Sequence, residues 1–291
     1  MKIICPKPDD FSEELINFMK KNFHGSFEKI SQRELDKNLK FYDVVLTRFN
    51  HKIKFFKKNN LRYIISPTTG VDHIDQNYFK SNTKIISLKS EYKFLRKINA
   101  SSEFTIYLIL KALKTFKLYK NNFYNEINGK KIGIIGYGRN GRKISPVLEK
   151  MGAKVYINDT KKQIVPKNKY KSIYNLIKFS DLLSFNIPLN KSNKGFINKK
   201  KINLFKNGTI IVNTSRGDIF DEKILFKQIK NKNIFYATDV LGSFFLKNLK
   251  DKKIKNKLIY TNHVAGLTNE SVKMTDNFVL KKFLRDISIN N

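Results

Sequence analysis

One cysteine, no tryptophan and fewer than half as many acids as bases mark this chain by what it lacks. The lone Cys5 cannot close an internal disulfide, and no Cys/His cluster has metal-ligand spacing, so a disulfide scaffold and a bound metal are not expected. No apolar run approaches the roughly 20 residues that cross a bilayer. The start, MKIICPKPDD, reads as a strand and a turn, with no signal-peptide core. These absences lead us to expect a reducing, cytoplasmic compartment and no membrane partner.

What is abundant is lysine. Lys+Arg total 58 against 24 acids, a formal charge of +34. One reading is an electrostatic footprint for nucleic acid, another an attraction for anionic substrates. The third is compositional bias: lysine, asparagine, isoleucine and phenylalanine are all common, as an AT-rich genome would encode. The lysines spread along the whole chain instead of gathering in one basic arm, and no nucleic-acid-binding motif stands beside them. The bias reading is preferred, and specific nucleic-acid binding is not expected.

At 291 residues the chain has room for two domains of ordinary size, and 41% apolar residues exclude wholesale disorder. Its organising stretch is GKKIGIIGYGRNGRKISPVLEKMGAKVYIND, residues 129–159. An apolar run breaks at Gly136-Tyr137-Gly138-Arg139-Asn140-Gly141, a helix-like segment follows, and a second apolar run ends on Asp159. Strand, glycine turn, helix, strand and terminal acid is the order of a dinucleotide-binding βαβ unit. Gly136 permits the tight turn, Gly138 lets a pyrophosphate approach the backbone, and Gly141 lets the helix pack close to the sheet. The helix start then faces the phosphates with its N–H groups and dipole. Asp159 stands where a carboxylate accepts bonds from the ribose hydroxyls and repels a 2′-phosphate. NAD is therefore favoured over NADP, although Lys161 and Lys162 lie close enough to weaken the preference. Pro146, inside the helix, predicts a kink or an early 3₁₀ turn.

Around this unit the pattern alternates short strands with helices, which argues for parallel sheets covered on both faces. Strands are expected at Lys2–Cys5, Val44–Thr47, Tyr63–Ser66, Lys84–Ser87, Leu182–Ile187, Thr209–Thr214, Phe235–Val240 and Leu258–Thr261. Helices are expected over Phe11–Asn22, Asp75–Lys80, Ser101–Phe116, Ser172–Phe179, Lys199–Phe205, Asp221–Lys230 and Asn269–Ile287. A polar, aromatic linker is expected at Lys117–Gly129. Arg216, Asp239 and His263 then fall at strand ends, where ligands bind in such sheets. An arginine that grips a carboxylate and a histidine that donates a proton are what reduction of a 2-oxo acid requires. Arg48 and Lys89 are either further anion contacts or solvated loop charges, and His51 and His73 read as loop or capping residues.

The stretches SPTTGVDHID (66–75), NASSEFT (99–105), IGIIGYGRNG (132–141), DLLSFNIPLN (181–190), NGTIIVNTSRGDIFDE (207–222), ATDV (237–240) and TNHVAGLTNES (261–271) resemble, in order and spacing, the D-isomer-specific 2-hydroxyacid dehydrogenase family. That resemblance implies an α/β protein in which a Rossmann-type doubly wound parallel sheet is inserted into a smaller, flavodoxin-like α/β substrate domain. The substrate domain would take residues 1–98, the NAD domain 99–266, and the C-terminal helix at 267–291 would return to the first. Arg216 and His263 are then the catalytic pair, and Thr69, Gly70 and Val71 the loop that binds the substrate carboxylate. Gly136, Gly138, Arg139, Asn140, Gly141, Asp159, Asn186, Pro188, Thr214 and Asp239 are the cofactor contacts. The implied partners are a small 2-oxo or 2-hydroxy acid and a second copy of the chain, paired through the NAD domain. One departure stands out. Five residues after Asp239, where the family carries a glutamate that pairs with the histidine, this chain has Phe244. Without that carboxylate the imidazolium loses a charge that would raise its pKa. Two expectations follow: an NAD-dependent dehydrogenase, or a cofactor-binding member with weak or no turnover.

Overall fold

The structure is a computed structural model and describes residues 1–117 and 123–289. Part of the expected linker, residues 118–122, lies outside the described residues. Contacts divide the chain into two compact units, Met1–Ile98 with Leu267–Asn291, and Asn99–Gly266.

The first unit is built on a parallel sheet of five strands, β1 (Lys2–Cys5), β2 (His24–Phe27), β3 (Val44–Leu46), β4 (Tyr63–Ser66) and β5 (Lys84–Ser87), in the order β2-β1-β3-β4-β5. Its helices are α1 (Glu13–Asn22), α2 (Gln32–Asn38), α3 (Tyr92–Leu95) and the C-terminal Asn269–Ile289, which is α10 in chain order. Strand residues alternate between two cores. Ile3, Cys5, Val44, Leu46, Tyr63 and Ile65 pack with Leu15 and Met19 of α1 and Phe283 of α10. Ile4, Val45 and Ile64 pack on the other face with Leu35 of α2. Each fully buried aliphatic side chain contributes about 1.5–3 kcal/mol, so both faces hold helices firmly.

Three elements here escape a reading by apolar period, the short α3 among them. β2, with the sequence HGSF, has no apolar alternation. It exists because Gly25 lies flat against β1, where a Cβ would come 1.8 Å from the Ile3 carbonyl oxygen. α2 has one buried residue, Leu35, and owes its start to a capping box between Ser31 and Glu34.

The second unit begins with α4 (Ala100–Leu113). It continues through β6 (Lys131–Ile135), α5 (Arg139–Lys150), β7 (Lys154–Asn158), α6 (Ile173–Phe179), β8 (Leu182–Phe185) and α7 (Lys199–Ile202). β9 (Ile210–Asn213), α8 (Glu222–Asn231), β10 (Phe235–Thr238), α9 (Ser243–Lys247) and β11 (Leu258–Tyr260) complete it. All six strands are parallel, in the order β11-β10-β9-β8-β6-β7. Ile132, Ile134, Val155, Ile157, Ile210 and Val212 face one core with helices α4 and α5, while Leu183, Phe185, Ile211 and Tyr236 face the other with α6 and α8. The winding reverses between β6 and β8, which opens a crevice at their carboxyl ends.

Several strands stop one or two residues before their expected ends. Side chains at the ends draw the backbone out of the ladder: the Ser215 N–H donates to Asn213 Oδ1, and the Val240 N–H donates to Thr238 Oγ1. Of the kink or early 3₁₀ turn expected from Pro146, the 3₁₀ turn is absent: the proline lies inside a helix running from Arg139 to Lys150. The ring's fixed φ is itself helical, so only one backbone bond is lost, and buried Ile144 and Leu148 hold the helix to the sheet.

Candidate active site

Gly136, the first residue after β6, has φ +96°, and a Cβ there would come 2.7 Å from the Asn186 carbonyl oxygen. A Cβ at Gly141 would come 2.2 Å from the Gly136 carbonyl oxygen, so the first turn of α5 lies directly on the glycine turn. Gly138 differs: a Cβ there meets nothing within 4 Å. It is the N-cap of α5 and no side chain caps that helix. The result is a helix start with open space before it. Asn140 and Arg139 open the helix, and burial pushes the Arg139 guanidinium below the ordinary arginine value.

Asp159 follows β7 and sits at the same turn. Its Oδ2 accepts from the Tyr137 N–H at 2.7 Å and its Oδ1 from the Lys161 N–H at 2.8 Å. Lys162 reaches over the Tyr170 ring instead, 5.6 Å from its centroid. Across the crevice, Asn186 donates its N–H to the Ile135 carbonyl, and its Nδ2 is held by Ser184. Its Oδ1 is buried without a partner. Pro188, two residues on, accepts a bond from Asn193. These features fit a dinucleotide. The glycine cradle leaves room for a pyrophosphate, an acid stands beside it for a ribose, and an orphaned acceptor waits for a donor.

Three neighbouring strands carry the remaining groups to the same end of the sheet. After β9, Thr214 shares a hydroxyl contact of 2.7 Å with Thr105 of α4. Arg216 follows; its carbonyl accepts from Asn213 Nδ2 at 2.9 Å, and its Nη1 donates to the Ser215 carbonyl. After β10, Asp239 is 1% exposed, and its carboxylate accepts from Thr261 Oγ1 and from the N–H groups of Val264 and Ala265. Its own carbonyl accepts the His263 N–H at 2.8 Å. Asp239 thus fastens the loop after β11 from both sides of His263, whose φ of +58° is a strained left-handed value for a non-glycine residue. In the first unit, Thr69, Gly70 and Val71 follow β4, one residue beyond Pro67-Thr68.

Sequence reasoning missed the supports. Asn213 is fully buried and ties the Ser215-Arg216 turn to Tyr236, with its Nδ2 3.2 Å from the phenol oxygen. Glu222, in the first turn of α8, accepts from the N–H groups of Gly242 and Phe244. The Phe244 ring packs edge-on against Phe226 of α8, centroids 5.5 Å apart. Arg48 is neither an anion contact nor a solvated charge. It is 6% exposed and bonds Asp276 at 2.6 Å. Lys89 reaches over the Phe79 ring. His51 bonds the Ile30 carbonyl as a loop residue. No signal within a few residues of any of these announces a partner so distant in sequence. Among the described residues no cluster of side chains is suited to a metal, and no helix is long and apolar enough to cross a membrane.

The fold and the cradle define a dinucleotide-binding unit joined to a second α/β unit. Residues 103–265 match the model of the D-isomer specific 2-hydroxyacid dehydrogenase NAD binding domain, and the chain belongs to that family. Its cofactor is NAD, as the resemblance implied. The chain is 26% identical to hydroxypyruvate reductase of Thermotoga maritima over 301 residues, covering 98% of this chain and 97% of that one. It is 28% identical to erythronate-4-phosphate dehydrogenase of Wigglesworthia glossinidia brevipalpis over 239 residues. That alignment covers 79% of this chain but only 59% of the relative. The crystal structure of NAD+-bound 3-phosphoglycerate dehydrogenase of Entamoeba histolytica superposes with a TM-score of 0.78 at 21% identity, covering 100% and 96% of the two chains. The expected fold class is borne out.

Proposed function

We propose that this chain interconverts a small 2-oxo acid and its D-2-hydroxy acid. The observation that carries the reading is topological. Arg216, Asp239 and His263 follow three adjacent parallel strands, at the end of the sheet where the glycine turn leaves β6. Bound NAD supplies or accepts the hydride. His263 holds the proton destined for the carbonyl oxygen and takes it back in the reverse direction. The Arg216 guanidinium pairs with the substrate carboxylate and polarises the carbonyl. Asp239 acts on the histidine loop, and the N–H groups of Thr69, Gly70 and Val71 receive the carboxylate. Residues 1–98 with 267–291 serve as the substrate unit and 99–266 as the cofactor unit, in a cytoplasmic homodimer paired through the latter.

A second reading rests on Phe244. With an aromatic ring turned onto Phe226 where the family has its glutamate, the chain would bind NAD(H) but turn over weakly or not at all.

Both are tested by NADH binding and by NADH oxidation on a panel of 2-oxo acids. Arg216→Ala and His263→Ala are expected to lower kcat/KM by about 10²–10⁴ while NADH binding persists. Gly138→Ala should do the reverse. It should fold with a stability change within about 0.5 kcal/mol, since its Cβ meets nothing, yet lose NADH affinity because the methyl group enters the cradle. NADH binding without turnover between about pH 5 and 8, a span that brackets the ordinary histidine pKa, favours the second reading. Absence of NADH binding removes both.

A further inference from the structure

We propose that a one-way hydrogen-bond relay, His73→Ser66→Thr68→Gly70, pre-aims the Thr69-Gly70-Val71 loop at an anion, making His73, Ser66 and Thr68 positioning residues for the substrate carboxylate. The carboxylate assignment rests on the oxidoreductase reading above; the relay itself does not.

The direction follows from which atoms own protons. Thr68 Oγ1 lies 2.7 Å from the Gly70 carbonyl oxygen, which only accepts, so the threonine proton is spent there. The same Oγ1 lies 2.9 Å from Ser66 Oγ, and having no second proton it must accept from the serine. Ser66 Oγ in turn lies 3.1 Å from His73 Nε2, and with its only proton already given it must accept from the ring. His73 therefore carries a proton on Nε2. Ser66, Thr68 and His73 are 0%, 3% and 7% exposed, so water does not scramble the order. Reversing any link sets two lone pairs face to face in a buried place, where no water can relieve the repulsion.

The consequence falls on the next peptide. It is trans, as are all the described peptides, so its C=O and N–H point opposite ways. Tying the Gly70 carbonyl to buried Thr68 turns the Val71 N–H away from the core. The loop's ends are pinned as well: the Leu88 N–H donates to the Thr68 carbonyl, and the Ile74 N–H to the Val71 carbonyl. Between those pins, the N–H groups of Thr69, Gly70 and Val71 donate to no acceptor among the described residues. Three successive open donors, held by buried side chains, form a concavity suited to a carboxylate or phosphate. Such an arrangement lowers the ordering cost of binding, because the loop is set before the ligand arrives.

Two measurements test this. In protein labelled with ¹⁵N-histidine, at about pH 8 and so above the ordinary histidine range, the Nε2 of His73 should show a protonated-nitrogen shift. The signal is assigned by its loss in His73→Gln. An unprotonated Nε2 overturns the relay whatever the enzyme does. In steady-state assays, Thr68→Val removes the hydroxyl with little change of shape. It should raise KM for the 2-oxo acid about tenfold, with kcat within about twofold and NADH affinity unchanged. Thr68→Ser, and His73→Gln with its amide N–H in place of Nε2–H, should stay near wild type, whereas His73→Leu should follow Thr68→Val. An unaltered KM in Thr68→Val, in a wild type that does turn over 2-oxo acids, overturns the positioning role. Were the wild type to show no such turnover, the activity reading would fail, and the labelled histidine would decide the relay alone.

Discussion

Glu222 joins two stretches that local sequence keeps apart, since its carboxylate holds the N–H groups of Gly242 and Phe244, some twenty residues further on. A Cβ at Gly217 would come 2.7 Å from the Gly242 nitrogen, so the same clamp bears on the turn that carries Arg216. Burial is the largest influence on this carboxyl and raises its pKa above the ordinary 4.5, against the lowering effect of the two N–H donors. The folded protein therefore binds that proton more tightly than the unfolded chain. The stability linked to it is fully present below about pH 4.5 and is lost as pH rises through the folded value. Melting temperatures followed against pH should show wild type losing ground to Glu222→Gln as pH rises through that window. A difference independent of pH would mean that burial is not what governs this group. Phe244 has a related consequence. Replacing it by glutamate removes the packing on Phe226 and adds a second carboxylate beside Glu222, so Phe244→Glu should cost about 1–3 kcal/mol in a denaturant titration. A variant as stable as wild type would show that the packing of this ring on Phe226 contributes nothing.

At the scale of elements, α10 is the one whose attachment periodicity describes least. Its Phe283 and Val279 enter the first unit's core, but its Asp276 also meets Arg48, 228 residues away in sequence, and accepts the Ser12 N–H at the start of α1. Arg48 adds bonds to Thr275 and to the Pro67 carbonyl and lies against the Phe11 ring. A pair this buried is weak evidence of net stabilisation, yet breaking it strands a charge. Asp276→Ala should cost about 3–5 kcal/mol by urea denaturation, and the double replacement Arg48→Met with Asp276→Leu should recover most of that. If the single and double variants are equally destabilised, the cost belongs to the lost acceptor of the Ser12 N–H and not to the stranded guanidinium. Elements with caps and a clear apolar face, such as α1 behind Ser12 and α8 behind Asp221, were legible from sequence to within two residues. β2 and α2 were not, because a glycine flush against its neighbour and a capping box carry no apolar period.

For the whole molecule, the exposed apolar residues bear on pairing. α4 leaves Tyr107 49% exposed, α5 leaves Val147 39% exposed, Met151 just past it is 38% exposed, and Phe123 and Tyr124 stand out further still. A homodimer through this unit would cover them, and Val147→Glu with Met151→Glu should shift the sedimentation coefficient from dimer to monomer at low micromolar protein. A wild type that sediments as a monomer would refute the pairing outright. The high positive charge makes no claim of its own here. Many of its lysines are engaged locally, as Lys131 is over Phe179 and Lys201 is with the Phe196 carbonyl.

What the sequence determined by itself is local: the glycine turn of 136–141, the strands on either side, and the identities of Asp159, Arg216, Asp239 and His263. Those are legible because turn chemistry and side-chain period act over a few residues. Only the tertiary structure decided that Arg48 is spent on Asp276, that Glu222 holds the Phe244 backbone, and that His73 reaches Thr68 through Ser66. Such bonds depend on which strands become neighbours and where loops close. Sheet order and loop closure bring those atoms to 2.6–3.1 Å of one another, and the linear spacing of Arg48 and Asp276, or of Glu222 and Phe244, does not encode it.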